Sequence, residues 1–329
     1  MNETNWYEVF GPLAPLFADP TISEIMVDAP DRVLVERQGR LEDAGVHFAS
    51  PEAIREVIAA ALALGGVTLG PEETISDVRL PDGSTRMLAV LPPTALNGPA
   101  LVVRKFQATS ITWDNLLEWG FITPEALDLL QSALLAHVNI LITGGTGSGK
   151  TTIANLLAER IPAEERLVVV ESAHELQIRH PRAVFLEAGG PAHLPLGHVV
   201  SAGSKMRPDW LIVGELYSGE ASQVLDIFRR GHVGMATMHA TSPEDALARL
   251  EALCLMANLG LGLGEIRALI AAAIRLITYQ ERLPAGNRRI MQIVEVAGLE
   301  NDRYVLQPLF RYNPEAERLE PTDMQPGWK

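Results

Sequence analysis

One segment constrains this chain more than any other: Asn139-Ile-Leu-Ile-Thr-Gly144-Gly145-Thr146-Gly147-Ser148-Gly149-Lys150-Thr151-Thr152. It matches G-x-x-x-x-G-K-[ST] and stands where that pattern needs to stand, directly after an apolar strand and before a helix. Glycines let backbone N–H groups converge on phosphate oxygens that bulkier residues would keep away. The N-terminus of the following helix adds its dipole. Lys150 is placed to reach the β- and γ-phosphates, and Thr151 to offer a hydroxyl to Mg2+. The expected ligands are ATP and Mg2+, held on Gly144, Gly145, Thr146, Gly147, Ser148, Gly149, Lys150, Thr151 and Thr152. The loop alone does not separate kinases, GTPases, DNA motors and secretion motors.

The pattern around it is α/β. His137 to Thr143 reads as a strand and Lys150 to Arg160 as a helix. Arg166 to Val170, Trp210 to Val213 and Val233 to Met238 read as further strands, with helices at Gly219 to Arg230 and Pro243 to Met256. Near-continuous apolar strands alternating with helices indicate a parallel sheet covered on both faces. Upstream, short strands around Thr21–Glu36, Asp77–Leu80, Met87–Leu91 and Leu101–Phe106 surround a helix opened by Ser50-Pro-Glu. The same opening, an N-cap followed by Pro and Glu, recurs at Thr123 and Ser242. The expected organisation is a small α+β domain over residues 1–107, a connector over 108–118 and a P-loop domain with a mainly parallel sheet over 119–329. Residues 258–276 and the strands that follow, out to Tyr304, complete the second domain by packing.

Composition narrows the class. The net charge of −14 is shared about evenly between the first 107 residues and the rest, so neither part is a basic platform for nucleic acid. The apolar run Val57 to Pro71 is too short for a membrane span, and Gly65 and Gly66 break it. The N-terminus MNETNWYEVF shows no basic region followed by an apolar stretch. The single cysteine, Cys254, lies in an apolar stretch and reads as a core residue. The expected location is the cytosol, or a membrane surface reached through partners.

Acids stand where apolar strands stop. Arg166-Leu-Val-Val-Val ends at Glu171, with Glu175 just beyond, and Trp210-Leu-Ile-Val-Gly ends at Glu215. Acids so placed can hold Mg2+ through water or orient an attacking water. His239 ends Met235-Ala-Thr-Met-His on the same sheet edge and could sense the γ-phosphate. His137, His174, His180, His193 and His198 have no ligand-like spacing and read as ordinary.

Four segments in order carry a resemblance. These are the P-loop, Glu171-Ser-Ala-His-Glu175-Leu, Met206-Arg-Pro-Asp209-Trp-Leu-Ile-Val-Gly-Glu215-Leu, and Gly231-His-Val-Gly-Met-Ala-Thr-Met-His239-Ala. Together they resemble the type II/IV secretion ATPase superfamily, and most of all the pilus-assembly ATPases of Tad/Flp systems and their conjugal-transfer relatives. Asp77-Val-Arg-Leu-Pro-Asp-Gly-Ser and Leu101-Val-Val-Arg-Lys-Phe extend the resemblance to the first domain. It implies a RecA-like motor domain in a homo-hexamer at the inner face of a cell membrane. Such a ring hydrolyses ATP to move its domains. The acidic charge of this chain fits docking on a polytopic membrane platform with basic cytoplasmic loops, and it disfavours a stable nucleic-acid partner. The resemblance also implies that Glu171 and Glu175 lie in the family's Asp box, that Glu215 is the Walker B glutamate and that His239 is the His-box histidine. Arg79, Arg86 and Arg104 match the arginines that approach the nucleotide from the N-terminal domain, where a positive group stabilises transition-state charge.

The chain departs from the pattern at four places. Ser172 stands where an acid is usual, Tyr217 and Lys205 where arginine is usual, and Glu187-Ala-Gly189-Gly190 lacks an expected arginine near Gly189. Lysine keeps charge but loses the bidentate fork, and tyrosine loses the charge. A weakly hydrolysing regulatory ring subunit is the alternative this raises; a DNA translocase and a small-molecule kinase are weaker rivals.

Overall fold

The computed structural model describes residues 6–37, 40–68, 70, 73–83, 85–105, 111–189 and 194–328. It divides into two compact units, 1–110 and 111–329.

The first unit holds strands β1 (Ile22–Ala29), β2 (Arg32–Arg37), β3 (Arg40–Asp43), β4 (Ile75–Arg79), β5 (Arg86–Val90) and β6 (Ala100–Arg104). They form one antiparallel sheet in the order β3-β2-β1-β6-β5-β4. Alternation along the strands sends Ile25, Val27, Val33, Val35, Met87, Leu101 and Val103 to one buried face. That face packs with Ile54, Ile58 and Leu62 of the helix Pro51–Leu64, and with Phe10 and Leu13. The helix begins as its sequence requires, Ser50 Oγ accepting from the Ala53 N–H at 3.3 Å.

The second unit is built on β7 (Ile140–Gly144), β8 (Leu167–Glu171), β9 (Ala183–Glu187), β10 (Trp210–Val213), β11 (Val233–His239), β12 (Leu276–Arg282), β13 (Arg288–Glu300), β14 (Arg303–Asn313) and β15 (Arg318–Pro321). The sheet order is β15-β14-β13-β12-β7-β11-β10-β8-β9. From β12 to β9 neighbouring strands run parallel, and β13 to β15 extend the β12 edge as antiparallel hairpins. Every residue of β7, β8 and β10 is buried, as expected of strands covered on both faces. One face carries the helices Pro124–Leu135 and Lys150–Ala158; the other carries Leu196–Ser204, Glu220–Arg229, Pro243–Met256 and Leu263–Ala273. Ser242 Oγ caps the helix Pro243–Met256 through the Asp245 N–H at 3.0 Å, whereas Thr123 makes no side-chain cap bond. Cys254 is fully buried, and burial pushes its thiol up to about 11. No helix among the described residues is long and apolar enough to cross a membrane.

The stretch expected to be a connector is in part something else. Residues 108–110 lie outside the described residues, but Trp113–Glu118 is a helix whose Trp113 and Leu116 belong to the second unit's core. Thr112 and Asn115 form its capping box, so a six-residue helix is fixed at its start by side chains. β9 and the helix Leu196–Ser204 also go unread in the sequence: β9 is a single run of five residues, Ala183-Val-Phe-Leu-Glu187, and Gly197, His198 and Gly203 interrupt the apolar pattern of the helix.

Asn139 ties the sheet together just below the P-loop strand. Its Oδ1 accepts from the Gly234 N–H at 2.7 Å and its Nδ2 donates to Ala273 O at 2.8 Å. Asn139→Ala leaves both backbone groups without that partner and is expected to lower stability by about 1–3 kcal/mol, read as a lower urea midpoint for the second unit.

Candidate functional site

The phosphate-type loop spans the turn from β7 into the helix Lys150–Ala158. Gly144 has φ 155° and Gly149, the helix N-cap, has φ 100°. A Cβ on Gly144 would sit 2.2 Å from Gln280 O of β12 and 2.5 Å from Ser148 Oγ. The loop closes only because that position is bare. Ser148 Oγ and both side-chain amide atoms of the fully buried Gln280 have no hydrogen-bond partner among the described residues, so the cradle keeps unused hydrogen-bonding capacity next to the loop.

Lys150 lies almost buried in this cradle. Nζ donates to Gly144 O at 3.2 Å and Gly145 O at 3.0 Å, and stands 3.3 Å from His239 Nδ1. Burial pushes the ammonium's pKa down, while the Glu215 and Glu175 carboxylates oppose that shift. His239 Nε2 is 3.0 Å from Glu215 Oε1. The backbone fixes these groups. His239 pairs with Gly144 in the β11–β7 ladder, and the Leu216 N–H donates to Thr237 O at 2.9 Å. The Thr237 hydroxyl also donates to Gly214 O, pinning the residue before Glu215.

Glu171 has a different position from the one its strand-end location implies. It is 4 % exposed, and its carboxylate accepts from the N–H groups of Glu175 at 3.0 Å and Leu176 at 2.9 Å and lies 3.0 Å from His174 Nδ1. The His174 N–H donates to Glu187 Oε1 at 3.1 Å. Glu171 therefore organises the loop that carries Glu175, with His174 as its partner. The sequence treats that histidine as ordinary because its spacing does not show the fold-back. His193 and Gly190 lie outside the described residues.

The structure brings Lys150, Glu175, Glu215 and His239 together within the second unit, and Arg79, Arg86 and Arg104 into one row within the first. In the first unit, Arg79 pairs with Arg86 and Arg86 with Arg104, making one row across β4, β5 and β6. Arg86 Nη2 donates to Asp77 Oδ2 and Arg104 Nε to Glu24 Oε1, each at 2.6 Å.

A cavity of about 350 Å3 adjoins the loop in the second unit, lined among others by Gly149, Thr152, Leu116, Trp119, Phe121 and Arg289. Arg288, also on its wall, donates from Nε to Gly147 O at 2.6 Å. Sequence reasoning finds Gly149 and Thr152 and misses the other wall residues. Their only signal is the Arg288–Arg289 doublet after a turn, which also describes an ordinary exposed hairpin.

The departures from the family pattern acquire physical settings. A Cβ at Gly189 would lie 2.3 Å from Ser172 O, so this backbone accepts no arginine there. Tyr217 is half exposed, and the Tyr217 and Ser218 N–H groups both donate to Glu220 Oε1 at 2.9 Å. Lys205 is exposed at the end of the helix Leu196–Ser204.

A mainly parallel sheet with helices on both faces, and a glycine loop leading from a central strand into a helix, defines a P-loop NTPase fold of the RecA-like kind. Residues 8–297 match the family described as "Type II/IV secretion system protein", and the chain belongs to that family. Over 291 residues it is 32% identical to the conjugal transfer protein TrbB of Rhizobium radiobacter, covering 87% of each chain. It is 27% identical to protein VirB11 of Agrobacterium fabrum, covering 73% of this chain and 78% of that one. The fold is similar to the X-ray structure of the Legionella pneumophila ATPase DotB, with a TM-score of 0.59 at 18% identity over 93% of this chain and 81% of that one.

Glu171→Ala removes the acceptor for two backbone N–H groups in a buried loop. The expected outcome is a loss of about 2–3 kcal/mol and faster hydrogen exchange at the Glu175 and Leu176 amides.

Proposed function

We propose that this chain is an ATP-hydrolysing motor subunit of an envelope-spanning machine of the type II/IV secretion kind, of the Tad/Flp pilus or conjugal-transfer branch. The observation that carries the reading is the convergence of Lys150, His239, Glu215 and Glu175 at a glycine loop opening a helix. Family membership and the name of the conjugal-transfer relative support the choice of machine. The assembly proposed is a homo-hexamer on the cytoplasmic side of the membrane, docked on a polytopic platform protein.

The residues divide the work. The N–H groups of Gly145 to Lys150 receive the β- and γ-phosphates, and Lys150 neutralises their charge. Glu215 orients the attacking water, and Glu175 adds negative charge near Lys150. Thr151, half buried in the first helical turn, offers the hydroxyl that would hold Mg2+, a hard cation suited to oxygen donors. When bound, Mg2+ neutralises charge on the β- and γ-phosphates. Glu171 acts as a positioning residue for the Glu175 loop. Arg79, Arg86 and Arg104 are proposed to supply the positive group of the first unit, two of them after release from Asp77 and Glu24. The cavity walled by Trp119, Phe121 and Arg289 is of a size for a nucleoside base, with aromatic faces for stacking.

Turnover and nucleotide binding by the purified chain, measured together, test the reading. Glu215→Gln should bind ATP as the wild type does and turn over at least about a hundredfold more slowly. Lys150→Ala should lose binding. If wild type and Glu215→Gln both bind ATP and neither hydrolyses it, the chain is a nucleotide-gated ring subunit and not a motor. The base site has its own check. Trp119→Ala should weaken ATP binding roughly tenfold, by the loss of one stacking face, and leave binding of inorganic tripolyphosphate unchanged.

A further inference from the structure

Glu171 stands between the two acids that the proposed reaction uses. Its Oε1 accepts from the Glu175 N–H at 3.0 Å and the Leu176 N–H at 2.9 Å. The same side chain lies against Gly214, the residue before Glu215. A Cβ there would come within 2.8 Å of Glu171 Cγ and 3.1 Å of Oε1. One buried side chain therefore touches both the backbone that carries Glu175 and the backbone that carries Glu215. The rotation of its carboxylate decides whether Oε1 faces the loop amides.

His174 holds the other oxygen. Its Nδ1 is 3.0 Å from Glu171 Oε2. A carboxylate accepts and does not donate, so Nδ1 carries the proton of this bond. The histidine is itself fixed twice by β9. Its backbone N–H donates to Glu187 Oε1 at 3.1 Å, and its ring meets the Phe185 ring at 72°, centroids 5.1 Å apart.

We propose that His174 is a positioning residue for hydrolysis: by donating to Glu171 Oε2 it sets the carboxylate so that Oε1 holds the Glu175 loop beside the strand end that carries Glu215. The inference rests on the motor reading above and adds to it a residue that acts only through another. The terminal torsion of a glutamate is broad, so a carboxylate without a directed donor on each oxygen turns easily. His174 is 33 % exposed, and water can replace its donor on Oε2. Water does not supply the direction that a ring held by Phe185 and Glu187 supplies. Loss of the imidazole therefore costs orientation more than stability. The loop also keeps its main-chain bonds whatever the side chain at 174. The Ala188 N–H donates to Glu171 O at 2.9 Å, and the Gly189 N–H to Ser172 O at 2.7 Å.

The experiment uses the full chain and three variants, read by steady-state turnover with MgATP and by hydrogen exchange at the Glu175 and Leu176 amides. His174→Ala should lower kcat roughly tenfold, leave KM for ATP within about twofold and speed exchange at both amides, neither of which touches the imidazole. His174→Asn places an amide nitrogen where Nδ1 stands and should restore both readouts. His174→Gln places its nitrogen where Nε2 stands and should restore neither. If kcat and exchange are unchanged in His174→Ala, the histidine is a surface residue and the proposal falls, with the motor reading intact. If His174→Gln restores as well as His174→Asn, or His174→Asn does not restore, the Nδ1 bond is not the agent and the proposal falls likewise. A wild-type chain that binds ATP without turnover overturns the motor reading and this role with it.

Discussion

Everything at the site depends on how closely β7 and β12 approach where β7 ends. Gly144 pairs with Gln280 across that ladder, and there is no room for a side chain between them. The bare position lets the chain leave the sheet at once and turn through Gly147 and Gly149 into the helix Lys150–Ala158. A residue with a Cβ would push the loop off β12, and the helix with it. The N–H groups of the loop would then no longer converge, and Lys150 would lose Gly144 O and Gly145 O as a resting place.

The parallel sheet does the rest of the positioning. Because β11 lies next to β7, and β10 next to β11, the ends of these strands deliver His239 and Glu215 to the same edge as the loop. A parallel arrangement puts successive strand ends on one side, so residues nearly a hundred positions apart in the chain become neighbours. The acid at the end of β8 goes a different way. Glu171 turns under the following loop and uses its oxygens on backbone N–H groups, so its contribution passes through Glu175. Two acids with the same strand-end signature thus have different surroundings: one is buried and saturated with donors, the other half exposed and linked to a histidine.

The first unit has its own logic. Its antiparallel sheet buries one face under the helix Pro51–Leu64 and places three arginines in a row at neighbouring strand positions. Carboxylates of the same sheet hold two of them. Ion pairs this exposed are weak, so they orient the side chains without committing them strongly.

The strands β7, β8, β10 and β11 and the helices Lys150–Ala158 and Glu220–Arg229 were legible because each is a short run of recognisable pattern bounded by glycine, proline or a cap. The P-loop was legible because its chemistry is local: glycines, a lysine and a threonine at fixed spacing, all within one turn of chain. Local chemistry also marked Glu215 and His239 as strand-end residues. What the sequence could not decide is anything that depends on a distant neighbour. The helix Trp113–Glu118 joins the second unit because Trp113 finds a pocket there and donates to Leu156 O, a contact 43 residues away in the chain. Gly189 excludes a side chain because Ser172 O stands against it, and the aromatic and arginine walls beside the loop meet only when the β12–β13 hairpin folds back. Sequence spacing fixes which groups are present; only the packed sheet decides which of them touch.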